Sequence, residues 1–374
     1  MKVLFISNDP ALFVEGSEVR ARMRSYAEAI GELSIISRAP KPQEIHEGSL
    51  HLYGVRTGKL FSPFTLASRA RTLILKQGIE IVSAQDPFEH GWAALRAVRG
   101  TSARLHVQVH TDFLSPWFRS SLGVSSFPMR VLNRIRVHIA DHVIPRAAGV
   151  RAVSKRIQSS LLKRYASRIK EVRVVPIAIP SDVQEEVPLP PASFTFKLLA
   201  VGRLESEKRL PDVLKALHHI HPQYPSIGLY IAGSGREEAP LKNMVRELGL
   251  TERVVFLGAR TDAQGLMRNA HAFIQASAYE GYGRTLVEAA LARVPIITTD
   301  VGVVGEIFEG YRDVLSVPPG DSAAIAVQIV GLIEDESARH SLVINAEIAA
   351  RKHLASSEET VQALCDDLRR TLAP

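Results

Sequence analysis

Residues 278–290 read Ala278-Tyr-Glu-Gly-Tyr-Gly-Arg-Thr-Leu-Val-Glu-Ala-Ala290, and the run sets Glu280 and Glu288 on either side of a glycine-spaced turn that enters a helix. Gly281 and Gly283 allow φ > 0 and close backbone approach to a ligand. Thr285 to Ala292 is rich in helix formers, and Pro295 marks the end. A helix opening near Arg284 aims unpaired N–H groups and a positive dipole end at the turn, where a diphosphate can sit. Glu280 lies in the loop before that helix and Glu288 about one turn inside it. Such a site suits a ligand with both hydroxyls and phosphates, as in a nucleotide sugar. Taken alone, the run reads equally as a polar loop followed by a core helix. The neighbouring segments decide between the two.

Outward from this turn, short apolar runs alternate with helical patterns. Strands are expected at Phe196–Val201, Ile227–Ala232, Arg253–Leu257, Ala272–Gln275, Pro295–Thr298 and Val314–Val317. Helices are expected at Pro211–His221, Glu238–Leu248, Asp262–Asn269, Thr285–Ala292, Gly302–Phe308 and Ser322–Glu334, with a helical tail from Ser337. The first half repeats the rhythm, with strands at Val3–Ser7, Leu33–Ser37, Leu50–Tyr53, Ile79–Ala84, Leu105–Val109, Gly149–Val153 and Val172–Val175. Helices lie between them at Glu18–Ile30, Pro63–Gln77, Gly91–Val98, Met129–Ile139 and Lys155–Tyr165. Strands separated by helices predict parallel sheets covered on both faces. The prolines of Glu185-Glu-Val-Pro-Leu-Pro-Pro-Ala-Ser193 interrupt the pattern. The expected organisation is two Rossmann-like, doubly wound α/β domains, residues 1–185 and 194–374, joined by a linker at 186–193 and facing a central cleft. The last helix, 355–374, is expected to pack back on the first domain.

At 374 residues, two domains are the default. A single cysteine, Cys365, excludes an internal disulfide and suits a reducing compartment. The opening Met-Lys-Val-Leu-Phe-Ile-Ser is a buried strand, too short for a signal peptide's apolar region. No apolar run approaches the roughly 20 residues of a membrane span. The expectation is a cytoplasmic protein, free or peripheral at the inner face of the membrane. Residues 1–185 carry 27 Lys/Arg against 15 Asp/Glu, and the remainder 19 against 24. The basic first half therefore meets something anionic. No zinc-finger spacing, basic zipper or RNA-binding aromatic signature points to nucleic acid.

Several further turns fall at strand ends. Gly202-Arg203-Leu-Glu-Ser-Glu-Lys208-Arg209 follows one strand and precedes a helix, where Arg203 and Lys208 can clamp a diphosphate. Gly233-Ser-Gly235 permits close backbone approach at the next strand end. Gly258-Ala-Arg260-Thr-Asp262 could line a base pocket, with Asp262 alternatively a helix cap.

Together these segments resemble the retaining nucleotide-sugar glycosyltransferases of family 4, which have the two-domain GT-B fold. The resemblance rests on Gly202-Arg203…Glu207-Lys208-Arg209, Gly233-Ser-Gly235, Val255-Phe-Leu-Gly258, the Glu280-x₇-Glu288 pair and Val301-Gly302…Glu306. It implies that Arg203 and Lys208 bind the donor diphosphate and that Glu280 holds a hydroxyl of the transferred sugar. Gly281, Tyr282, Gly283, Arg284, Thr285 and Leu286 would contact sugar and phosphates, and Glu288 the ribose. In the first half, Gly16-Ser17 stands where the family usually has two glycines near the donor phosphates; Ser17 could instead cap a helix. His110, at the end of Leu105-His-Val-Gln-Val-His110, would reach the donor sugar, and Asp112 would orient the acceptor. Arg284 and Val303 depart from the family pattern, as does Val174-Val-Pro176-Ile-Ala-Ile179.

The resemblance implies a hexosyltransferase that takes GDP-mannose or a UDP-hexose to a lipid-linked or glycan acceptor in cell-envelope or exopolysaccharide synthesis. It uses no cofactor, and no Asp-x-Asp metal motif is present. Trp117-Phe-Arg119 and Phe127-Pro-Met-Arg130-Val-Leu-Asn-Arg134-Ile-Arg136-Val-His138 mix arginines with apolar residues, as an interfacial helix on anionic membrane does. The rival readings are a sugar-nucleotide epimerase of the same architecture and a non-catalytic nucleotide-sugar-binding protein.

Overall fold

A computed structural model describes residues 1–119, 127–179, 184–190 and 194–373. The chain divides into two compact units. One comprises Met1–Leu114, Met129–Ile177 and Ser357–Pro374; the other comprises Ser115–Pro128 and Ala178–Ser356.

The first unit holds β1 (Lys2–Ser7), β2 (Glu32–Arg38), β3 (Gln43–Glu47), β4 (Leu50–Val55), β5 (Ile81–Ala84), β6 (Arg104–Val109), β7 (Gly149–Ala152) and β8 (Arg173–Val174). Between them run α1 (Glu18–Ile30), α2 (Ser62–Gln77), α3 (Glu89–Val98), α5 (Phe127–Val143) and α6 (Lys155–Tyr165); the short α4 (Pro116–Arg119) belongs to the second unit. The sheet order is β3-β4-β2-β1-β5-β6-β7-β8, and every pair is parallel except β3 with β4. Val3, Leu4, Phe5 and Ile6 are all buried, as a strand covered on both faces requires. Ser17 caps α1 by accepting the Arg20 N–H at 3.2 Å, and Gly31 ends the helix at φ 108°.

The second unit holds β9 (Phe196–Val201), β10 (Ile227–Ala232), β11 (Val254–Gly258), β12 (Ala272–Gln275), β13 (Ile296–Thr299) and β14 (Leu315–Val317). Its helices are α7 (Leu210–Ile220), α8 (Glu238–Glu247), α9 (Ala263–Arg268), α10 (Arg284–Leu291), α11 (Ser322–Glu334) and α12 (Glu336–His353). The all-parallel order β11-β10-β9-β12-β13-β14 makes β9 the point where strand order reverses, as β1 is in the first unit. Doubly wound sheets bind ligands at such switch points, beyond the carboxyl ends of the strands. Helix α7 illustrates the core: its Val213, Leu214, Leu217 and Ile220 are buried in one cluster with Leu198, Leu229 and Ile329.

Two expectations change and one strand is added. Gln43–Glu47, outside the expected strands, forms an edge strand, so alternate residues face water. Gly302–Phe308 is not a helix. Gly302 and Gly305 adopt φ 58° and 79°, and the segment closes through a Val304–Phe308 bridge. The tail is two helices, because Leu354 turns extended after α12 and a second helix, α13 (Ser357–Leu372), follows. Helix α13 lies in the first unit against α1, β6 and β7.

The proline-rich stretch runs along the second unit. The Val187 N–H donates to Gly265 C=O at 3.1 Å, Asn269 Nδ2 donates to Val187 C=O at 3.0 Å, and the Tyr230 hydroxyl donates to Pro190 C=O at 3.0 Å. Its residues 191–193 lie outside the described residues, as do residues 120–126 of the Trp117–His138 stretch.

Candidate functional site

In the second unit the turns after β9, β10 and β12 interlock. Gly202 and Gly233 have φ 151° and 147°, and a Cβ on Gly233 would stand 1.8 Å from Gly202 O. A Cβ on Gly235 would stand 2.2 Å from Leu204 O. Glycine at 233 and 235 is therefore first a packing requirement, which holds the loop carrying Arg203 and Lys208 against the next loop. The Ala278 N–H donates to Glu207 C=O at 2.8 Å and fastens that loop to the segment bearing Glu280.

Lys208 and Glu280 meet in this frame. Lys208 Nζ donates to Glu280 Oε1 at 2.5 Å, and Ser277 Oγ donates to the same oxygen at 2.7 Å. Both charged side chains are mostly buried, at 17% and 15% exposed, so the pair is held in register yet reachable. Ser277 carries no signal of a site residue in the sequence; only its place just past β12, three residues before Glu280, marks it. Arg203 is mostly exposed and donates to Glu207 at 3.1 Å. Arg209, at φ 50°, turns the other way: its Nε donates to Asp212 at 2.6 Å, and its guanidinium stacks over Trp117 at 5.1 Å.

Gly283, at φ 85°, opens α10 without a side-chain cap. The Leu286 N–H closes onto Gly283 C=O at 2.9 Å, and the Leu286 side chain is buried in the core. Both its N–H and its side chain are thus engaged within the protein. The N–H groups of Arg284 and Thr285 make no hydrogen bond among the described residues and form the bare start of the helix. The Thr285 hydroxyl donates to Gln275 Oε1 at 2.5 Å. Tyr282 is buried, which pushes its phenol up to about 12, and its carbonyl accepts the Val303 N–H at 2.9 Å. Gly302 is forced here, since a Cβ would lie 2.3 Å from Tyr282 O. Arg284 Nε donates to Glu288 Oε1 at 2.5 Å across one helical turn, so the departure at 284 supplies a cation that orients the Glu288 carboxylate. Arg260 and Asp262 pair with each other at 2.8 and 2.5 Å, and Asp262 makes no cap to α9.

In the first unit, His110 follows β6. Arg151 Nη1 donates to Gln108 Oε1 at 2.8 Å, and Gln108 Nε2 donates to Ser83 Oγ at 2.9 Å, which fixes the Gln108 amide. His110 Nε2, 3.2 Å from Gln108 Oε1, is therefore the protonated nitrogen. Burial, then the Arg151 charge, pushes His110 down to about 3. The ring is neutral and leaves Nδ1 as an acceptor. Asp112 lies half-buried in the following loop. Gly16 has φ 73° with open space where a Cβ would be. The Ser17 hydroxyl is committed to the helix cap that the sequence offered for it: it accepts the Arg20 N–H and donates to Ala11 C=O at 2.6 Å. His106, on the strand that His110 follows, is fully buried between Ser83 and Asp367, each at 2.8 Å.

Two family models match the chain: that for the group 1 glycosyl transferases over residues 189–348, and that for glycosyltransferase family 4 over residues 22–183. A glycogen synthase of Mycobacterium tuberculosis is 31% identical over 150 residues, 40% of this chain and 36% of that protein, so the chain spans about a third of this relative. The gpi3 subunit of a phosphatidylinositol N-acetylglucosaminyltransferase of Schizosaccharomyces pombe is 24% identical over 259 residues, 68% of this chain and 54% of that protein. Among solved structures, a sucrose-phosphate synthase from Thermosynechococcus elongatus superposes with a TM-score of 0.82 at 18% identity, covering 100% and 99% of the two chains. Anabaena HepE in complex with UDP-glucose superposes at 0.75 and 20% identity, covering 99% of each. At these identities the structures establish the fold alone, a pair of parallel-sheet α/β domains of the GT-B kind.

Proposed function

The chain belongs to the group 1 glycosyl transferases, and we propose that it moves a hexose from a nucleotide-diphosphate sugar to a lipid-linked or glycan acceptor with retention at the anomeric carbon. The observation that carries this reading is the placing of the Ser277–Glu280–Lys208 cluster and the bare N–H groups of Arg284 and Thr285 at neighbouring strand ends of one sheet. A cation and a helix start suit a diphosphate; a fixed carboxylate suits sugar hydroxyls.

In this proposal Lys208, Arg203 and the start of α10 hold the diphosphate and stabilise its charge as the glycosidic C–O bond breaks. Glu280 accepts from a hydroxyl of the transferred sugar, and Glu288, oriented by Arg284, accepts from the ribose. His110 offers a neutral Nδ1 to a substrate hydroxyl, and Asp112 serves the acceptor. Backbone and cationic side chains replace a metal ion in this account. Among the described residues no helix is long and apolar enough to cross a membrane. The exposed Val131, Arg134, Ile135 and His138 of α5 support peripheral contact with an anionic membrane, although Arg136 is engaged with Glu89 at 2.9 Å.

The decisive experiment incubates the protein with UDP-glucose or GDP-mannose, in buffer with EDTA, with and without a lipid-phosphate acceptor. Acceptor-dependent release of nucleoside diphosphate, with retained anomeric configuration in the product, supports the reading. Conversion of the donor to another sugar nucleotide without acceptor overturns it in favour of an epimerase.

A further inference from the structure

The carboxyl ends of β1, β2 and β4 in the first unit surround a cavity of about 890 Å³. Arg38 stands at the end of β2, Arg56 just past β4, and Lys59 in the loop before α2; Asn8 and Thr57 complete its polar lining. Among the described residues these three cations are the only charged side chains lining it, and no acidic residue lines it. Among the described residues, too, none of the three makes an ion pair or donates a side-chain hydrogen bond. Elsewhere in the unit several arginines are neutralised: Arg20 and Arg24 share Glu47, Arg69 pairs with Glu44, Arg136 with Glu89 and Arg164 with Asp141. The nearest acid along the chain to Asn8, Asp9, spends its carboxylate on the Ala11 N–H at 3.0 Å. Three like charges gathered around a concavity repel one another and are relieved by an anion.

The cavity's rim adds a second chemistry. Lys59 is followed by Leu60 and Phe61, 80% and 66% exposed, and by Phe64 at 58%. These are among the most exposed large apolar side chains of the molecule, and Leu60 and Phe61 directly follow the cavity-lining Lys59 in the chain. The loop carrying them is braced: the Phe61 N–H donates to Gly58 C=O at 3.2 Å, and the hydroxyls of Thr57 and Thr65 lie 3.1 Å apart. Phe64 is set by an edge contact with Trp92, ring centroids 4.9 Å apart. Helix α2, which follows, has no side-chain cap.

We propose that this cavity is the acceptor site and that it selects an amphiphile bearing a phosphate. The phosphate sits among Arg38, Arg56 and Lys59, and the hydrocarbon lies against Leu60 and Phe61. The cavity opens at the same carboxyl end of the sheet as His110, since β1, β2, β4 and β6 run parallel. This rests on the transferase reading above and narrows its acceptor from any glycan or lipid to an anionic amphiphile.

The test measures binding of farnesyl phosphate to the full chain by calorimetry, beside farnesol, inorganic phosphate and anionic phosphatidylglycerol vesicles. Wild type should bind farnesyl phosphate at least tenfold more tightly than farnesol or inorganic phosphate. The variant R38S/R56S/K59S should lose at least tenfold of that affinity, and L60S/F61S should lose affinity for farnesyl phosphate but not for inorganic phosphate. UDP and GDP binding is measured on every variant. Retained nucleotide binding shows a folded protein and leaves the donor site standing whatever happens here. Equal affinity for farnesol and farnesyl phosphate, or an unchanged triple variant, overturns the proposal. Binding to vesicles alone, with no binding of monomeric farnesyl phosphate, also overturns it and makes the patch a membrane contact. Absence of nucleotide binding by wild type itself would instead refute the transferase reading.

Discussion

Lys208 is held by Glu280 before any substrate arrives, and this makes opposite predictions for the two partners. A diphosphate must draw Lys208 Nζ away from, or share it with, a carboxylate oxygen 2.5 Å distant. A hydrogen bond to a charged group contributes about 1.5–3 kcal/mol. Lys208→Ala should therefore weaken nucleoside-diphosphate binding by roughly 10- to 150-fold, since about 1.4 kcal/mol is tenfold. Glu280→Gln removes the anion that competes for Lys208 while keeping a group for Ser277 to bond. It should leave diphosphate affinity unchanged or up to about fivefold tighter, a bound set by the roughly 0–1 kcal/mol typical of partly exposed ion pairs. Sugar transfer by Glu280→Gln should nevertheless fall, because the amide is a weaker acceptor for the sugar hydroxyl. Calorimetric titration with UDP and GDP, on variants whose circular dichroism and melting match wild type, makes the comparison. If Glu280→Gln loses diphosphate affinity as severely as Lys208→Ala, then the carboxylate supports the phosphate site, and the assigned division of roles is wrong.

Glu288→Ala should weaken both the nucleoside diphosphate and the intact donor by roughly tenfold or more, and Arg284→Ala should weaken them less, since Glu288 remains; calorimetry showing the reverse order would make Arg284 the ligand. Because His110 is pushed down to about 3, its ring should stay neutral throughout roughly pH 5–8. Its NMR Hε1 shift should be flat there, and a midpoint near its ordinary value of about 6.5 would refute that environment. The sign follows: the stability that neutral His110 contributes is complete above its unfolded value of about 6.5 and is lost progressively as pH falls towards about 3. Wild type should pellet with anionic vesicles at low salt and release at high salt, because such attraction is screened within roughly 8 Å at physiological ionic strength; a variant with Arg119, Arg130 and Arg134 changed to Ser should stay in solution and still bind UDP or GDP.

What the sequence shows of this molecule is what depends on near neighbours along the chain. Helix α1 could be bounded at Glu18 and Ile30 because Ser17 and Gly31 are local signals, and β9, β10 and β12 because short apolar runs between turns have one reading. Gly302–Phe308 misled for the opposite reason. Its apolar spacing suits a helix, but Gly302 is pinned at φ 58° by the carbonyl of Tyr282, far back in the chain before α10. The same limit applies at the site. Glu280 and Glu288 stand out as a pair, yet the residues that orient them, Ser277 and Arg284, acquire that role only through side-chain geometry.

The chain of contacts behind His110 shows how far such dependence reaches. Gln108, fixed by Arg151, gives its N–H to Ser83 Oγ; Ser83 Oγ lies 2.8 Å from His106 Nδ1, and His106 Nε2 lies 2.8 Å from Asp367 on α13. Asp367 also pairs with Arg173 at 2.5 Å, and although burial alone would raise its pKa, His106 and Arg173 together hold it below the ordinary carboxylate range. Helix α13 fits β7 so closely that a Cβ on Gly149 would stand 2.2 Å from the Thr371 hydroxyl. The tautomer of His110, a residue expected to touch substrate, is set by the Gln108 amide, and the contacts behind that amide run on to Asp367, 261 positions beyond His106. His106, buried on this strand between Ser83 and Asp367, links the contacts of Gln108 to those of α13.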